Sequence, residues 1–345
     1  MKTIFKTILL ILCFAFISCE NDDDNTTPQP EGEFTDGFFV VNEGGFSGSN
    51  GISFISNDFS RVEQNIFSTV NANEDLGLFP QSIFFDQDGH AFIISNGSNV
   101  VTVVNRFSFE KIAEITTNID RPRYGTVLNG KAYVTNQASF ETNADDFVTV
   151  INLEDFSVET TIPLTDTAEF ILTDGTLLYV QNATFGQGKG ITVINPSTNS
   201  IQTQIETGEN LQNIVINANS IFALHGTGID AISLNTLEVN STISFTPNLN
   251  AVRNLRVFQG QLYYTNDNSA YTSSLGDSTL SDVPLFSYES PSFGTFYGFN
   301  VNDGLIYLSD ARDYASDGFI EIYDLDGNFV FETAVGLAPN GFYFN

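Results

Sequence analysis

The sequence predicts an all-β protein, a seven-bladed β-propeller whose first blade is closed by the C-terminal strand. Three observations carry this prediction. A strand-type motif returns every 40 to 46 residues. Runs suited to an innermost strand begin near Pro80, Pro122, Ala168, Leu211, Val252, Phe296 and Pro339, which makes seven. The first repeat lacks an innermost strand and the last innermost run lacks a following hairpin, so each end supplies what the other is missing.

The chain starts with a segment that is not part of that body. Lys2 and Lys6 precede the apolar run Ile8 to Ile17, which is too short to span a bilayer and suits a secretory signal. The run ends in Phe16-Ile17-Ser18-Cys19, similar to a bacterial lipobox with Cys19 as the acylated residue. Residues 1–18 are therefore expected to be a lipoprotein signal peptide. Residues 19–33 read as a tether, led by the acidic Glu20-Asn21-Asp22-Asp23-Asp24 and continued by Thr, Pro and Gly. Residues 34–345 are the propeller.

Within it the motif is an aromatic or aliphatic pair, a small polar residue and Asn. Instances are Phe39-Val40-Val41-Asn42, Ile93-Ile94-Ser95-Asn96, Tyr133-Val134-Thr135-Asn136, Tyr179-Val180-Gln181-Asn182, Phe222-Ala223-Leu224-His225, Tyr263-Tyr264-Thr265-Asn266 and Tyr307-Leu308-Ser309-Asp310. From Asn96 onward the last positions lie 40, 46, 43, 41 and 44 residues apart, after a first spacing of 54. A period near 40 filled with alternating strand residues is the mark of propeller blades. Each motif is followed by a loop, an alternating run such as Val100-Val101-Thr102-Val103-Val104, a polar turn and an outer strand such as Lys111 to Ile115. No sustained helical period follows residue 18.

Composition limits the function. The chain of 345 residues carries 42 acidic and 12 basic residues, a net charge of −30, with only 16% charged residues and 33 Phe. A nucleic-acid partner needs a basic face, and a disordered acidic chain would lack the aromatics. Removing residues 1–18 takes two bases and no acid, which deepens the charge from −30 to −32. The processed body would have no thiol, Met or Trp.

The longest loops, Glu43–Asn50, Gln137–Asp146, Ala183–Lys189 and Ala311–Asp317, fall on the rim where the innermost strands begin. The opposite rim has short Asp-Gly and Asn-Gly turns. Loop elaboration on one side of a rigid scaffold marks that side as functional. Its candidate ligand-binding residues are Phe46, Phe140, Phe185 and Tyr314 on the loops, with Phe79, Arg123, Tyr124, Arg253, Tyr297 and Asn340 at the strand starts. Catalysis is not expected. His90 and His225 fall on opposite rims, so no triad or zinc site forms from them. Asp86 to Gly89 and Asp324 to Asn328 are partial calcium loops that read as hairpin turns, and Asp310 to Asp317 is an acidic cluster on the functional rim. Asp166-Thr167-Ala168 and Asp277-Ser278-Thr279 resemble three-residue O-glycosylation motifs of Bacteroidetes.

Tyr133-Val134-Thr135-Asn136, with Val150-Ile151-Asn152 behind it, resembles the YVTN repeat of YncE-like propellers. Val41 to Phe46, Leu308 to Tyr314 and Pro339 to Phe344 are similar to the Bacteroidetes surface-lipoprotein branch, which includes BtuG-type cobalamin-binding propellers. The resemblance covers the whole body. It implies a surface-exposed outer-membrane protein, held by its lipid alone, that captures a corrinoid for a TonB-dependent transporter and needs no cofactor. The alternative is a propeller that binds another protein or the cell envelope and takes no small ligand. A propeller enzyme is disfavoured by the scarcity of His, Cys and Trp.

Overall fold

The computed structural model describes residues 32–46 and 51–345. The expected signal segment, Cys19 and most of the tether lie outside the described residues, as do residues 47–50 of the first long loop. The described residues form seven four-stranded antiparallel sheets. Six are consecutive meanders. The seventh joins β1 (Gly37–Asn42), β2 (Gly51–Ser56) and β3 (Val62–Glu63) to the last strand, β28 (Pro339–Phe344). The pairing Phe38↔Phe344, Phe39↔Tyr343, Val40↔Phe342 closes the ring, as the complementary ends required.

The other innermost strands are β4 (Pro80–Phe85), β8 (Pro122–Leu128), β12 (Ile171–Thr173), β16 (Asn213–Asn217), β20 (Val252–Phe258) and β24 (Phe299–Asn302). Three of them become regular two or three residues later than the sequence suggests. The chain ahead of them is already paired: Gln181 N–H donates to Phe170 O, Gln212 N–H to Leu224 O and Ser309 N–H to Gly298 O. Two other expectations are revised. The stretch 183–189 is a hairpin extension of β13 (Leu178–Thr184) and β14 (Gln187–Asn195), with only Phe185-Gly186 at its tip. The long first spacing holds a one-turn helix, α1 (Ile66–Val70), whose Ile66 and Phe67 are buried.

The second strand of each blade is buried on both faces, because blades stack face to face. β5 (His90–Ser95) and β9 (Lys131–Asn136) share one cluster in which Phe92, Ile94, Ala132 and Val134 interdigitate. Each such large apolar side chain contributes about 1.5–3 kcal/mol by burial. That explains the apolar pair of the motif. Its small polar residue fastens neighbouring blades: Thr135 Oγ1 donates to Glu169 O at 2.8 Å, and Ser309 Oγ donates to Pro339 O at 2.5 Å. Its terminal Asn or Asp ties down the segment leading into an innermost strand. Asn136 Oδ1 accepts from Asp120 N–H at 2.9 Å, and Asn266 Oδ1 accepts from Ala251 N–H at 2.9 Å. The repeat is thus a packing and fastening unit.

Candidate functional site

Four of the innermost strands are entered through a residue held in the left-handed region: Phe79 (φ 53°), Arg121 (48°), Phe296 (51°) and Ala338 (53°). Such a φ is uncommon outside glycine. The carbonyls of three of them accept a backbone N–H from the residue just past a motif or at its end: Asn96 to Phe79, Gln137 to Arg121 and Glu43 to Ala338. Bulges follow in three of the strands, between Pro80 and Ser82, Pro122 and Gly125, and Arg253 and Arg256. A bulge breaks the strict alternation of a strand and re-aims side chains. The adjacent residues Arg123 and Tyr124 therefore both line one cavity.

That cavity has a volume of about 510 Å³ and opens on the long-loop rim. Eight of the ten expected site residues line it: Phe79, Arg123, Tyr124, Phe185, Arg253, Tyr297, Tyr314 and Asn340. Two do not. Phe46 is exposed and meets Phe79 edge-on at 5.0 Å, which leaves it at the lip. Phe140 is exposed and lies over the Arg121 guanidinium at 3.2 Å, so it caps its own loop. Phe293, not foreseen from the sequence, also lines the cavity, 74% exposed and packed on Tyr314 at 5.7 Å. It lies in a connection with no motif to flag it.

The polar floor is a network. Arg123 forms a two-pronged ion pair with Glu169, at 3.0 Å from Nε and 2.7 Å from Nη2, and Gln137 donates to the same carboxylate at 2.6 Å. Burial alone would lower the Arg123 pKa, but the Glu169 carboxylate more than offsets this and raises it. Glu43 accepts from Tyr297 Oη at 2.6 Å and from Asn340 Nδ2 at 2.7 Å. Burial raises its pKa against the lowering by those two bonds. Desolvation, then the Glu43 charge, raises the Tyr297 phenol. Glu43, Glu169, Gln81 and Phe170 were not singled out as site residues, because each contributes only through partners distant in sequence.

A second, inner cavity of about 410 Å³ lies along the same channel and shares Tyr124, Phe170, Gln212, Arg253, Asn254, Tyr297 and Asn340 with the first. Deeper residues are Asn213, Arg256, Asn300 and Tyr343. The expected acidic cluster on the rim is partly structural: Asp310 is buried and receives Tyr288 Oη at 2.7 Å, Ser290 Oγ at 2.5 Å and Arg312 N–H at 2.6 Å. His90 starts β5, and His225 ends β17 (Ser220–His225), on opposite rims. Each has its own acid, Asp86 at 2.7 Å and Asp230 at 3.3 Å. Among the described residues, no three His, Cys, Asp or Glu side chains converge as metal ligands would.

Fold and site together define a closed seven-bladed propeller with a polar-floored, aromatic-rimmed mouth. The chain belongs to the family described as a domain of unknown function, DUF5074, which matches residues 36–292. No curated protein matches the sequence. Among solved structures, a quinonprotein alcohol dehydrogenase-like protein from Bacteroides thetaiotaomicron is similar at 15% identity and a TM-score of 0.69, over 90% of this chain and 78% of that one. A functionally unknown protein from Desulfotomaculum acetoxidans matches at 13% identity and 0.69, over 90% and 98%. Hydrazine synthase of Kuenenia stuttgartiensis matches at 16% and 0.61, over 76% and 88%. At these identities the likeness is one of fold.

Proposed function

We propose that this chain is a lipid-anchored surface protein that binds an amphipathic nutrient, with a corrinoid the leading candidate, for a TonB-dependent outer-membrane transporter. The observation that carries the binding reading is the outer cavity: aromatics at its mouth over a floor of amides, phenols, a neutralised Arg–Glu pair and the hydrogen-bonded Glu43 carboxylate. That lining suits a large ligand with many amide groups and an apolar face, and its volume lies within the range of small-molecule sites. Phe185, Phe293 and Tyr314, exposed around the mouth, would cover the part of a corrinoid that does not enter. The anchoring part rests on Lys2 to Cys19 and the acidic residues after it. The resemblance to the YncE-like, BtuG-containing branch supports the choice of ligand.

The test is calorimetric titration of the full-length chain in detergent with cyanocobalamin and cobinamide. Micromolar or tighter binding is expected, weakened at least tenfold when Phe185, Phe293 and Tyr314 are replaced together by Ala. Absence of heat and of retained colour at micromolar protein would remove the corrinoid reading. The second reading, a protein-binding or envelope-binding propeller, is favoured by Phe46 and Phe140. They are 91% and 89% exposed and lie outside the cavity, as anchors for another protein would.

A further inference from the structure

The inner cavity holds two arginines, Arg253 and Arg256, and no Asp or Glu among the residues that line it. In a chain of net charge −30 this is a local reversal of sign. The other cavity-lining arginine is neutralised by Glu169, whereas these two are not. The Arg253 guanidinium makes no hydrogen bond or ion pair among the described residues, although its backbone is paired in the sheet. Arg256 is half-buried and has only neutral acceptors: Asn300 Oδ1 at 3.2 Å from Nε, with Leu255 O at 2.7 Å and Asn213 Oδ1 at 3.4 Å from Nη1. Its Nη2 has no partner among the described residues. Desolvation lowers its pKa, opposed only by the phenols of Tyr343 and Tyr124. A cation taken out of water without a counter-charge is costly unless something supplies one.

The backbone is shaped so that both side chains line the same cavity. Positions three apart on a regular strand face opposite ways. Asn254, at φ 59°, starts a bulge that moves the register by one, so that Arg253 and Arg256 both reach the channel while Leu255 is buried behind them. Asn254 is itself fixed, since its Nδ2 donates to Thr265 Oγ1 at 3.1 Å and to Phe296 O at 3.1 Å.

We propose that the inner cavity is a subsite for one carboxylate group, read by Arg256 and closed from the mouth by Arg253. A carboxylate matches the planar fork of a guanidinium. A monoanion is favoured over a phosphate dianion because a single guanidinium, that of Arg256, stands in the deeper part of the cavity and balances one charge. Tyr124 and Phe170, with ring centroids 4.1 Å apart, form a wall of the same cavity and receive the flat or apolar body that carries the group. This deepens the binding reading of the same mouth and rests on it.

Benzoate and its neutral isostere benzamide are the probes, titrated calorimetrically into the full-length chain in detergent. Benzoate is expected to bind at least tenfold more tightly than benzamide. Arg256→Gln is expected to erase that preference and Arg253→Gln to reduce it about threefold, while Arg256→Lys retains part of it. Thermal melts of each variant show whether the propeller stays folded. Equal affinities for the two probes in the native chain would overturn the proposal without recourse to any variant, as would an R256Q protein that melts cooperatively and still prefers benzoate. A preference for benzoate together with no response to cyanocobalamin would leave the subsite standing and remove the corrinoid. Cyanocobalamin binding with no preference for benzoate would do the reverse.

Discussion

Two residues show what charge means inside this fold. Asp146, at the base of the long loop in the third blade, is 2% exposed. One oxygen accepts from Ala168 N–H at 2.8 Å and the other has no partner. Burial, with Asp145 beside it, raises its pKa to about 6 from an ordinary 3.8. The folded state therefore binds this proton more tightly than the unfolded chain, and stability must fall as pH rises through the window from 3.8 to 6. Relative to Asp146→Asn, the native protein should lose about 2 kcal/mol between pH 4 and pH 7. Urea melts of both proteins at the two pH values measure this, and parallel pH profiles would refute it. Arg256 is the opposite case, a cation without an anion. Sequence reasoning found Arg253 and missed Arg256 because strand alternation places residues three apart on opposite faces. The left-handed Asn254 that cancels the alternation is of a type that enters that region readily, but Asn is so frequent here that this one does not announce a bulge. Phe140 was legible as exposed, but its loop's turn back onto Arg121 was not, since that depends on a residue 19 positions away.

Elements were far more legible than side-chain directions, because blades repeat and a repeat tests itself. The apolar pair, the small polar residue and the Asn recur because each blade must bury two faces, fasten to its neighbour and pin the next innermost strand. The positions that broke the pattern were local: a one-turn helix too short for a periodic signal, and a loop of glycines that proved to be an extended hairpin. The fastening role predicts that Ser309→Ala, in a fully buried position, leaves Pro339 O and Gly298 N–H without their partner. The cost should be about 1–3 kcal/mol, read from denaturant midpoints. Closure by β28 makes a sharper prediction. Phe342 is 4% exposed and packs on Phe38 at 6.3 Å and Tyr307 at 5.6 Å, across the joint between first and last blades. Phe342→Ala should cost about 3–5 kcal/mol. Truncation after Ala338, which leaves β1 as an unpaired edge, should abolish the cooperative melt. A truncated chain that still melts as one unit would mean that the ring does not depend on this joint.

At the scale of the whole molecule, the −30 charge and the two unpaired arginines act on an anionic ligand with opposite signs and over different distances. The net charge repels from afar, and the arginines attract only within the channel. Salt separates the two, because the Debye length is about 30 Å at 10 mM and about 8 Å at 150 mM. At 10 mM an approaching carboxylate meets the field of the entire acidic body. At 150 mM it meets little beyond the groups lining the channel, where Arg123 and Glu169 cancel, Glu43 offsets one of Arg253 and Arg256, and one positive charge remains. An ordinary basic site on a basic protein weakens as salt rises. Here benzoate affinity should hold or rise about twofold between 10 and 150 mM salt, with the gain in the association rate, which long-range repulsion depresses. Benzamide, which carries no charge, should show no change over the same range. Calorimetry at the two salt concentrations checks both. A benzoate affinity falling several-fold with salt would mean that the local positive field already outweighs the acidic body at long range. The composition would then mislead about the approach of ligands as well as about the channel, since a count of residues records total charge and carries no information on where the few cations stand.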